Sequence, residues 1–354
     1  MRIALIASAR YPIRQPFAGG LEAHTWALAR GLRQRGHEVT VFGGTGCDPD
    51  LDVRLMLPDW PRLSDAARAD TSMTAEAWLG DHHAYLQLVL ELADRALDDF
   101  DVVHNNSLHH LPVAMARVIP IPMITTLHTP PTPWLESAIQ VGACPVTFVA
   151  VSAHTARAWR HLVTARVIRN GVDLKTWQPG PGGDSLIWTG RLVREKGPDL
   201  AIQAALAAGL ELDLVGPVPD AEYFAAEIEP HLGPQIRYLG HRGHAELSGL
   251  VGSAAAALVT PRWDEPYGLV AAEALACATP VAGFARGALS EVLDDSCAVL
   301  VPAGDVAALA CAARDAAALP RWQARSYAQT YCSVERMVDQ YTALYHELVD
   351  RVAA

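Results

Sequence analysis

A chain of 354 residues, 51% apolar and 19% charged, is long enough for two ordinary domains and apolar enough to give each a core. Its formal net charge of −11 speaks against sequence-independent binding to nucleic acid, which depends on clustered Lys and Arg. No run approaches the ~20 apolar residues of a membrane span, and the six cysteines (Cys47, Cys144, Cys277, Cys297, Cys311, Cys332) form no C-x-x-C pair, so a cytoplasmic protein with free thiols is expected.

In chain order, Ile3–Ala7 reads as a buried first strand, too short for the apolar core of a signal peptide. A loop rich in Pro, Gln and Gly leads to a helix from Leu21 to Arg35, closed by Gly36. Val39–Phe42 is the next strand, and a mostly helical region is expected from about Trp60 to Phe100. Strands at Asp101–His104, Met123–Leu127, Phe148–Val151 and Val167–Ile168 follow, with a short helix over Leu111–Ala116. Gln178-Pro179-Gly180-Pro181-Gly182-Gly183 marks a linker.

After it the alternation restarts with Leu186–Thr189, a helix over Pro198–Ala208, Leu212–Val215 and Ile236–Leu239. Ala254–Val259, a helix from Leu269, Pro280–Phe284 and Val299–Val301 complete the second set, and a final helix runs from about Val334 to Val349. Strands alternating with helices imply parallel sheets covered on both faces. The expected architecture is therefore α/β: two doubly wound Rossmann-like domains, 1–175 and 176–334, around an interdomain cleft. The C-terminal helix, 335–354, carries aromatics (Tyr341, Tyr345) that suit packing on either domain, the first among them. Ligands of such folds bind at the carboxyl ends of the strands.

Several stretches could carry chemistry. Leu269–Cys277 is apolar nearly all round yet holds Glu273, and a carboxylate is rarely buried without a partner. Either Glu273 faces a cleft or something polar binds it, and a second carboxylate, Glu265, shifts the balance toward a ligand site. A helical rise of ~1.5 Å per residue puts the two ~12 Å apart, too far to act on one bond. Gly19-Gly20-Leu21-Glu22 stands between the first strand and the first helix, where backbone N–H groups and the helix dipole favour an anion. Its spacing is not the G-x-G-x-x-G of a dinucleotide site, and an ordinary turn with Glu22 supporting the dipole is the plain alternative.

Up to Lys175 there are 16 basic and 17 acidic residues, after it 12 and 22, and Lys175 and Lys196 are the only lysines. Arg191 and Lys196, in a Gly-bearing loop of the acidic half, read as a diphosphate site: Arg as a planar fork, Lys as a point charge. His104, His109, His110 and His128 lie at or after strand ends, but their spacings match no familiar zinc pattern. No metal is expected there. His128 is the best candidate to face the cleft, whereas His109 and His110 read as surface or packing residues. Asn170-Gly171 is a turn that shapes the hinge.

Together these pieces resemble the family 4 retaining glycosyltransferases of the GT-B fold. The resemblance spans Gly19-Gly20-Leu21-Glu22 through Gly36-His37-Glu38-Val39-Thr40-Val41, Asp101-Val102-Val103-His104, Asn170-Gly171-Val172-Asp173, Gly190-Arg191-Leu192 with Lys196-Gly197, and Glu265-x7-Glu273. It implies that Glu265 contacts the donor sugar and Glu273 the nucleotide ribose. Arg191 and Lys196 would hold the diphosphate, helped by the N–H groups of Gly268 and Leu269, with Gly20 across the cleft and His128 facing sugar and acceptor. It implies no metal and no other cofactor; the donor is a nucleotide sugar, UDP-sugar favoured over GDP-sugar. Retention is explained in the family by same-face attack, the leaving phosphate taking the acceptor proton.

Two departures from the family pattern stand out. Gly287-Ala288 occupies a place where two glycines are common, and Pro261-Arg262 replaces a Pro-Ser pair, a change read as minor. Glu291, just beyond, is either a donor contact or a helix N-terminal glutamate. His241 and Arg242 are candidates for the base pocket, and His104, Asn106 and Trp134 for the acceptor side. Asp65 to Asp101 holds nine acidic residues against Arg68 and Arg95, a face that anionic lipid would repel, so a soluble, small acceptor is expected and no stable membrane association. Rival readings are an epimerase or hydrolase acting on a nucleotide sugar, a two-domain protein that binds one without turnover, and, more distantly, an NAD-dependent oxidoreductase.

Overall fold

The computed structural model describes residues 1–59, 62–72, 76–142 and 146–353. Trp60, where the long helical region was expected to start, and Cys144 lie outside the described residues. The first half runs β1 (Arg2–Ile6), α1 (Gly20–Gln34), β2 (Glu38–Gly43), β3 (Val53–Leu55), α2 (Asp65–Arg68), α3 (Glu76–Asp99) and β4 (Val102–Asn105). It continues with α4 (Leu111–Ala114), β5 (Met123–Leu127), α5 (Pro133–Gly142), β6 (Val146–Ala150), α6 (Ala153–Trp159) and β7 (Ala165–Val167). The second half begins with β8 (Leu186–Thr189), α7 (Pro198–Ala208), β9 (Leu212–Val215), α8 (Ala221–Glu227), β10 (Ile236–Tyr238) and α9 (His244–Gly252). Then come β11 (Ala256–Val259), α10 (Leu269–Ala276), β12 (Val281–Phe284), α11 (Leu289–Val292), β13 (Ala298–Val301), α12 (Val306–Ala317), α13 (Arg321–Tyr331) and α14 (Val334–Ala353).

The strands form two sheets, ordered β3-β2-β1-β4-β5-β6-β7 and β10-β9-β8-β11-β12-β13. Every neighbouring pair in them is parallel. Both are doubly wound. The strand order reverses between β1 and β4 in one and between β8 and β11 in the other, and a crevice opens at each reversal. Ile3, Ala4, Leu5 and Ile6 are wholly buried, as a strand covered on both faces must be, which is why β1 reads as an unbroken apolar run. β3 escapes such a reading because it is three residues at the sheet edge, with Arg54 turned out to pair with Glu91 at 2.6 Å.

The chain passes between the sheets twice, and the two passages lie side by side. The Val172 N–H donates to the Cys332 carbonyl (2.8 Å), and the Val334 N–H to the Val172 carbonyl (3.0 Å). Gly171 is needed there because a Cβ on it would stand 2.5 Å from the Val334 Cα and 2.6 Å from the Ser333 carbonyl oxygen. α14 then returns to the first sheet. Met337, Val338, Tyr341, Leu344, Tyr345 and Leu348 recur on one face and pack with Ile3, Leu5, Leu28 and Leu32. Each such side chain contributes ~1.5–3 kcal/mol on burial.

The same helix removes His104 from the acceptor side. His104 is wholly buried at the end of β4, its Nδ1 2.7 Å from the Tyr345 hydroxyl and its Nε2 2.8 Å from the Thr126 hydroxyl. The Tyr341 hydroxyl closes the network 3.0 Å from Thr126. Burial pushes the imidazole down to about 3, so it stays neutral and serves as a polar tie between β4 and α14.

Gly171→Ala should lower stability by at least ~2 kcal/mol, the usual scale for overpacking against backbone. Gly249→Ala, where nothing lies within 4 Å of the added Cβ, should be neutral or stabilising by up to ~1 kcal/mol. Denaturant melts of the two variants check this, and equal losses would contradict it.

Candidate active site

At the reversal between β8 and β11, the loops that follow those strands converge. The Lys196 ammonium lies 2.7 Å from Glu265 Oε2, and the Trp263 indole N–H donates to the same oxygen at 3.1 Å. The ammonium also sits 4.9 Å from the centre of the Trp263 ring. Trp188, Thr189, Gly190, Thr260 and Val270 complete this recess.

Arg262 stiffens it. Its fork bonds Asp199 through both nitrogens, Nη1 to Oδ1 at 2.6 Å and Nη2 to Oδ2 at 2.5 Å, and Nη1 also reaches the Arg194 carbonyl. The Tyr223 hydroxyl donates to Asp199 as well. Burial works to raise the Asp199 carboxyl, but Arg262 and Tyr223 hold it below its usual range. The Pro261-Arg262 departure is therefore not minor: it locks the loop after β11 to α7.

Helix α10 begins at Leu269, after Gly268 with φ +91. Glu265 thus stands on a loop, and the separation estimated from helical rise does not apply to it. Its backbone is clamped. The Ala288 N–H donates to the Glu265 carbonyl (2.8 Å), and a Cβ on Gly287, whose φ is +62, would come within 2.3 Å of the Glu265 backbone N and O. Ala288 has φ −81 and is buried without strain, so only the first of these two positions demands glycine.

Across the cleft, a Cβ on Gly20 would lie 3.0 Å from Leu269 Cδ1, so the N-termini of α1 and α10 face each other. An anion between them would meet two positive dipole ends. Glu22, in the first turn of α1, is buried; burial raises its carboxyl, with its own backbone N–H and Arg191 pulling the other way. Arg191 itself is half-exposed and only loosely paired, 3.4 Å from Glu195.

Glu273 faces a recess walled by Ala23, His24 and Trp26 of α1 and by Trp177 and His244. It has no hydrogen-bond partner among the described residues, and burial alone raises its carboxyl to about 8. This carboxylate lacks a donor and sits where a ligand could supply one.

Residues 18–176 match the Glycosyltransferase Family 4 profile and residues 183–318 the Glycosyl transferases group 1 profile. The glycogen synthase of Mycobacterium tuberculosis is 30% identical over 357 residues, covering 89% of this chain and 85% of that protein. The chain belongs to the family 4, group 1 glycosyltransferases. D-inositol 3-phosphate glycosyltransferase of Geodermatophilus obscurus is 29% identical, over 100% of this chain and 91% of that one. Among solved structures, Anabaena HepE in complex with UDP and glucose superposes with TM-score 0.75 at 18% identity, over 98% of this chain and all of that one, a likeness of fold.

In this glycosyltransferase, His128 reaches the cleft with one nitrogen. Thr25 donates to the Leu21 carbonyl (2.8 Å), Asn106 donates its amide to Thr25 (2.6 Å), and His128 Nε2 is 2.5 Å from Asn106 Oδ1. The chain of donors makes Nε2 the protonated nitrogen and leaves Nδ1 as a free acceptor. Burial, with His24 and His104 nearby, holds the ring well below its usual pKa, so it is neutral. Asn106 is wholly buried and acts behind His128 rather than on the acceptor. Trp134 is exposed at the start of α5, stacked on His110.

His241 and Arg242 do not line the recess beside Glu273. His241 Nε2 donates to the Phe17 carbonyl (3.1 Å), and Arg242 is engaged by the Leu239 carbonyl and Glu246. His244 and Trp177, ring centres 5.0 Å apart, stand there instead. Their signal was proximity: one lies two residues beyond Arg242, the other four beyond Asp173.

Glu291 turns out to cap the other half of the molecule. Its carboxylate accepts from the Ala153 and His154 N–H groups at the start of α6 (2.9 and 3.0 Å). Beside it, the Thr155 hydroxyl donates to the Pro266 carbonyl (3.2 Å). No sequence signal could find these bonds, because one partner of each is main chain.

A carboxyl raised to about 8 in the fold but ordinary when unfolded favours folding most at low pH, and that contribution is lost as pH rises through 8. Glu273→Gln should therefore melt higher than the parent at pH 8.5, with the gap closing toward pH ~4.5. Melting curves across that range test it; a gap independent of pH would contradict the assignment.

Proposed function

We propose that this chain is a retaining glycosyltransferase that moves a sugar from a nucleotide-diphosphate sugar, UDP-sugar favoured over GDP-sugar, to a soluble, small acceptor. The observation that carries the reading is the Lys196–Glu265 pair at the β8/β11 crevice, opposite Gly20 and one helix start away from the unpartnered Glu273. Lys196, Arg191 and the N–H groups of Gly268 and Leu269 supply the positive charge that a leaving diphosphate needs. No metal ion is required for that step. As the diphosphate draws Lys196, Glu265 becomes free to accept hydrogen bonds from the sugar.

Glu273 accepts from the ribose hydroxyls, which favours its charged form, so nucleotide binding releases a proton. Neutral His128 accepts from a sugar hydroxyl through Nδ1. The bond from the anomeric carbon to the phosphate oxygen breaks, the bond to the acceptor oxygen forms on the same face, and the acceptor proton passes to the leaving phosphate. Same-face attack leaves the acceptor proton to the phosphate, so Glu265, which accepts from Trp263 and the sugar, has no general-base role. The uridine preference draws on HepE, whose complex holds UDP and glucose. The soluble acceptor draws on the acidic stretch that includes α3; among the described residues no helix is long and apolar enough to cross a membrane.

A panel of UDP-, GDP- and ADP-sugars should separate donors by thermal shift, since tight binders stabilise by mass action. Labelled donor with candidate acceptors should then give a product of retained anomeric configuration; sugar recovered only as free sugar or epimer would sink the reading. Lys196→Ala and Glu265→Gln should each lower kcat at least ~100-fold, on the scale of removing a transition-state charge contact. Glu273→Gln should raise the donor KM about tenfold with kcat little changed. Chelator should leave the rate unaltered.

A further inference from the structure

On the first sheet's side of the cleft, past the ends of β1, β4 and β5, lies a group of rings that the donor site does not use. Trp78 stacks on His82 (5.1 Å between centres, 12° between planes) and Trp134 on His110 (4.7 Å, 25°). His110 stacks in turn on His109 (4.4 Å), and His109 on Tyr85 (4.1 Å). The two indoles meet at 6.4 Å, inclined by 44°, and remain 39% and 58% exposed. Tyr85 fixes the group to the site: its hydroxyl donates to the Ala7 carbonyl and accepts from the Ala9 N–H, at the head of the loop that leads to Gly20. Trp134 opens α5, which follows His128 along the chain after β5.

Two kinds of ligand suit such a group, a metal ion and a ring with an apolar face. The ligand nitrogens of His82, His109 and His110 lie within 4.8 Å of one another. However, His109 Nδ1 accepts the Leu111 N–H (3.2 Å), which puts the ring proton on Nε2, and the face-to-face stacking of His109 on His110 turns their lone pairs parallel rather than convergent. The ring reading has no such conflict. Paired indoles present broad apolar faces with polar edges, and exposed aromatic surface beside a cleft marks a ligand site.

Charge narrows the ligand further. Arg10, which reaches this face, is held by Asp81 at 3.4 Å. Among the described residues, the other titratable groups in ring contact here are Tyr85 and imidazoles, and burial keeps His109 and His110 below the usual range and so uncharged. Among the described residues, a phosphate here would meet no cation other than Arg10, which Asp81 already holds.

We propose that the acceptor is an uncharged saccharide, one of whose rings lies on the Trp78–Trp134 shelf so that a neighbouring hydroxyl reaches the cleft beside His128. The inference rests on the glycosyl-transfer reading above. Its test is binding in the presence of UDP, measured by calorimetry and by ligand-proton broadening in NMR. The probes are maltotriose and methyl α-mannoside as neutral saccharides, glucose 6-phosphate as the charged one, and zinc chloride alone. At least one neutral saccharide should bind, and Trp134→Ala and Trp78→Ala should each weaken it tenfold or more while leaving the UDP thermal shift unchanged.

Three results would overturn the proposal: no neutral saccharide binding, binding indifferent to both indoles, or a preference for the phosphorylated sugar. So would zinc binding that His110→Ala abolishes while saccharide binding persists in both tryptophan variants. Saccharide binding on the shelf without transfer from any nucleotide sugar would retain the shelf and reject the transferase reading. Transfer that ignores the shelf would do the reverse.

Discussion

The loop from Asp264 to Gly268 is held from every side, and the site depends on that. Within its own half, Lys196 and Trp263 bond the Glu265 carboxylate while Ala288 bonds its carbonyl. Gly287 lets two backbone segments meet where any Cβ would separate them. From the other half comes the Thr155 hydroxyl on the Pro266 carbonyl, with Glu291 capping the helix that carries Thr155. Main-chain restraints of this kind hold the Glu265 backbone in place whatever its carboxylate binds.

Helix α10 completes the electrostatics. Its last carbonyls are satisfied by arginines: Arg325 donates to Ala276 (2.5 Å) and Arg321 to Cys277 (3.3 Å), cations where the dipole is negative. Its first N–H groups face the cleft, opposite the start of α1. The helix is neutralised at one end and open to an anion at the other. Glu273 lies between, half-buried and with no donor to its carboxyl among the described residues, so its charge is disfavoured there.

The sheets were legible in the sequence because strands buried on both faces leave short apolar runs, as at Ile3–Ile6 and Ala256–Val259. Glu273 was legible for a related reason, since a charge inside an apolar helix is a contradiction that structure must resolve. His104 was not: a histidine at a strand end looks the same whether it meets solvent or a tyrosine from a helix 241 residues later. Arg262 was misjudged likewise, since its importance lies in the geometry of Asp199 and Tyr223 rather than in its own position. Residues whose role is set by a distant partner leave no local pattern.

Connectivity joins these observations to catalysis. The two chain passages at Val172 and Val334 form a narrow pivot, and the bonds from α6 to Glu291 and Pro266 are a second tie between the halves. A rotation about the pivot that opened the cleft would break this tie together with the bonds from His241 to the Phe17 carbonyl and from the His244 N–H to Gln15. The bonds from α6 end on the segments that clamp Glu265: Pro266 is its neighbour, and Glu291 lies on the helix begun by Ala288 and Leu289. Separation of the halves would therefore also loosen the loop that carries Glu265. The contacts that tie the two halves together are thus also contacts that hold the loop carrying Glu265.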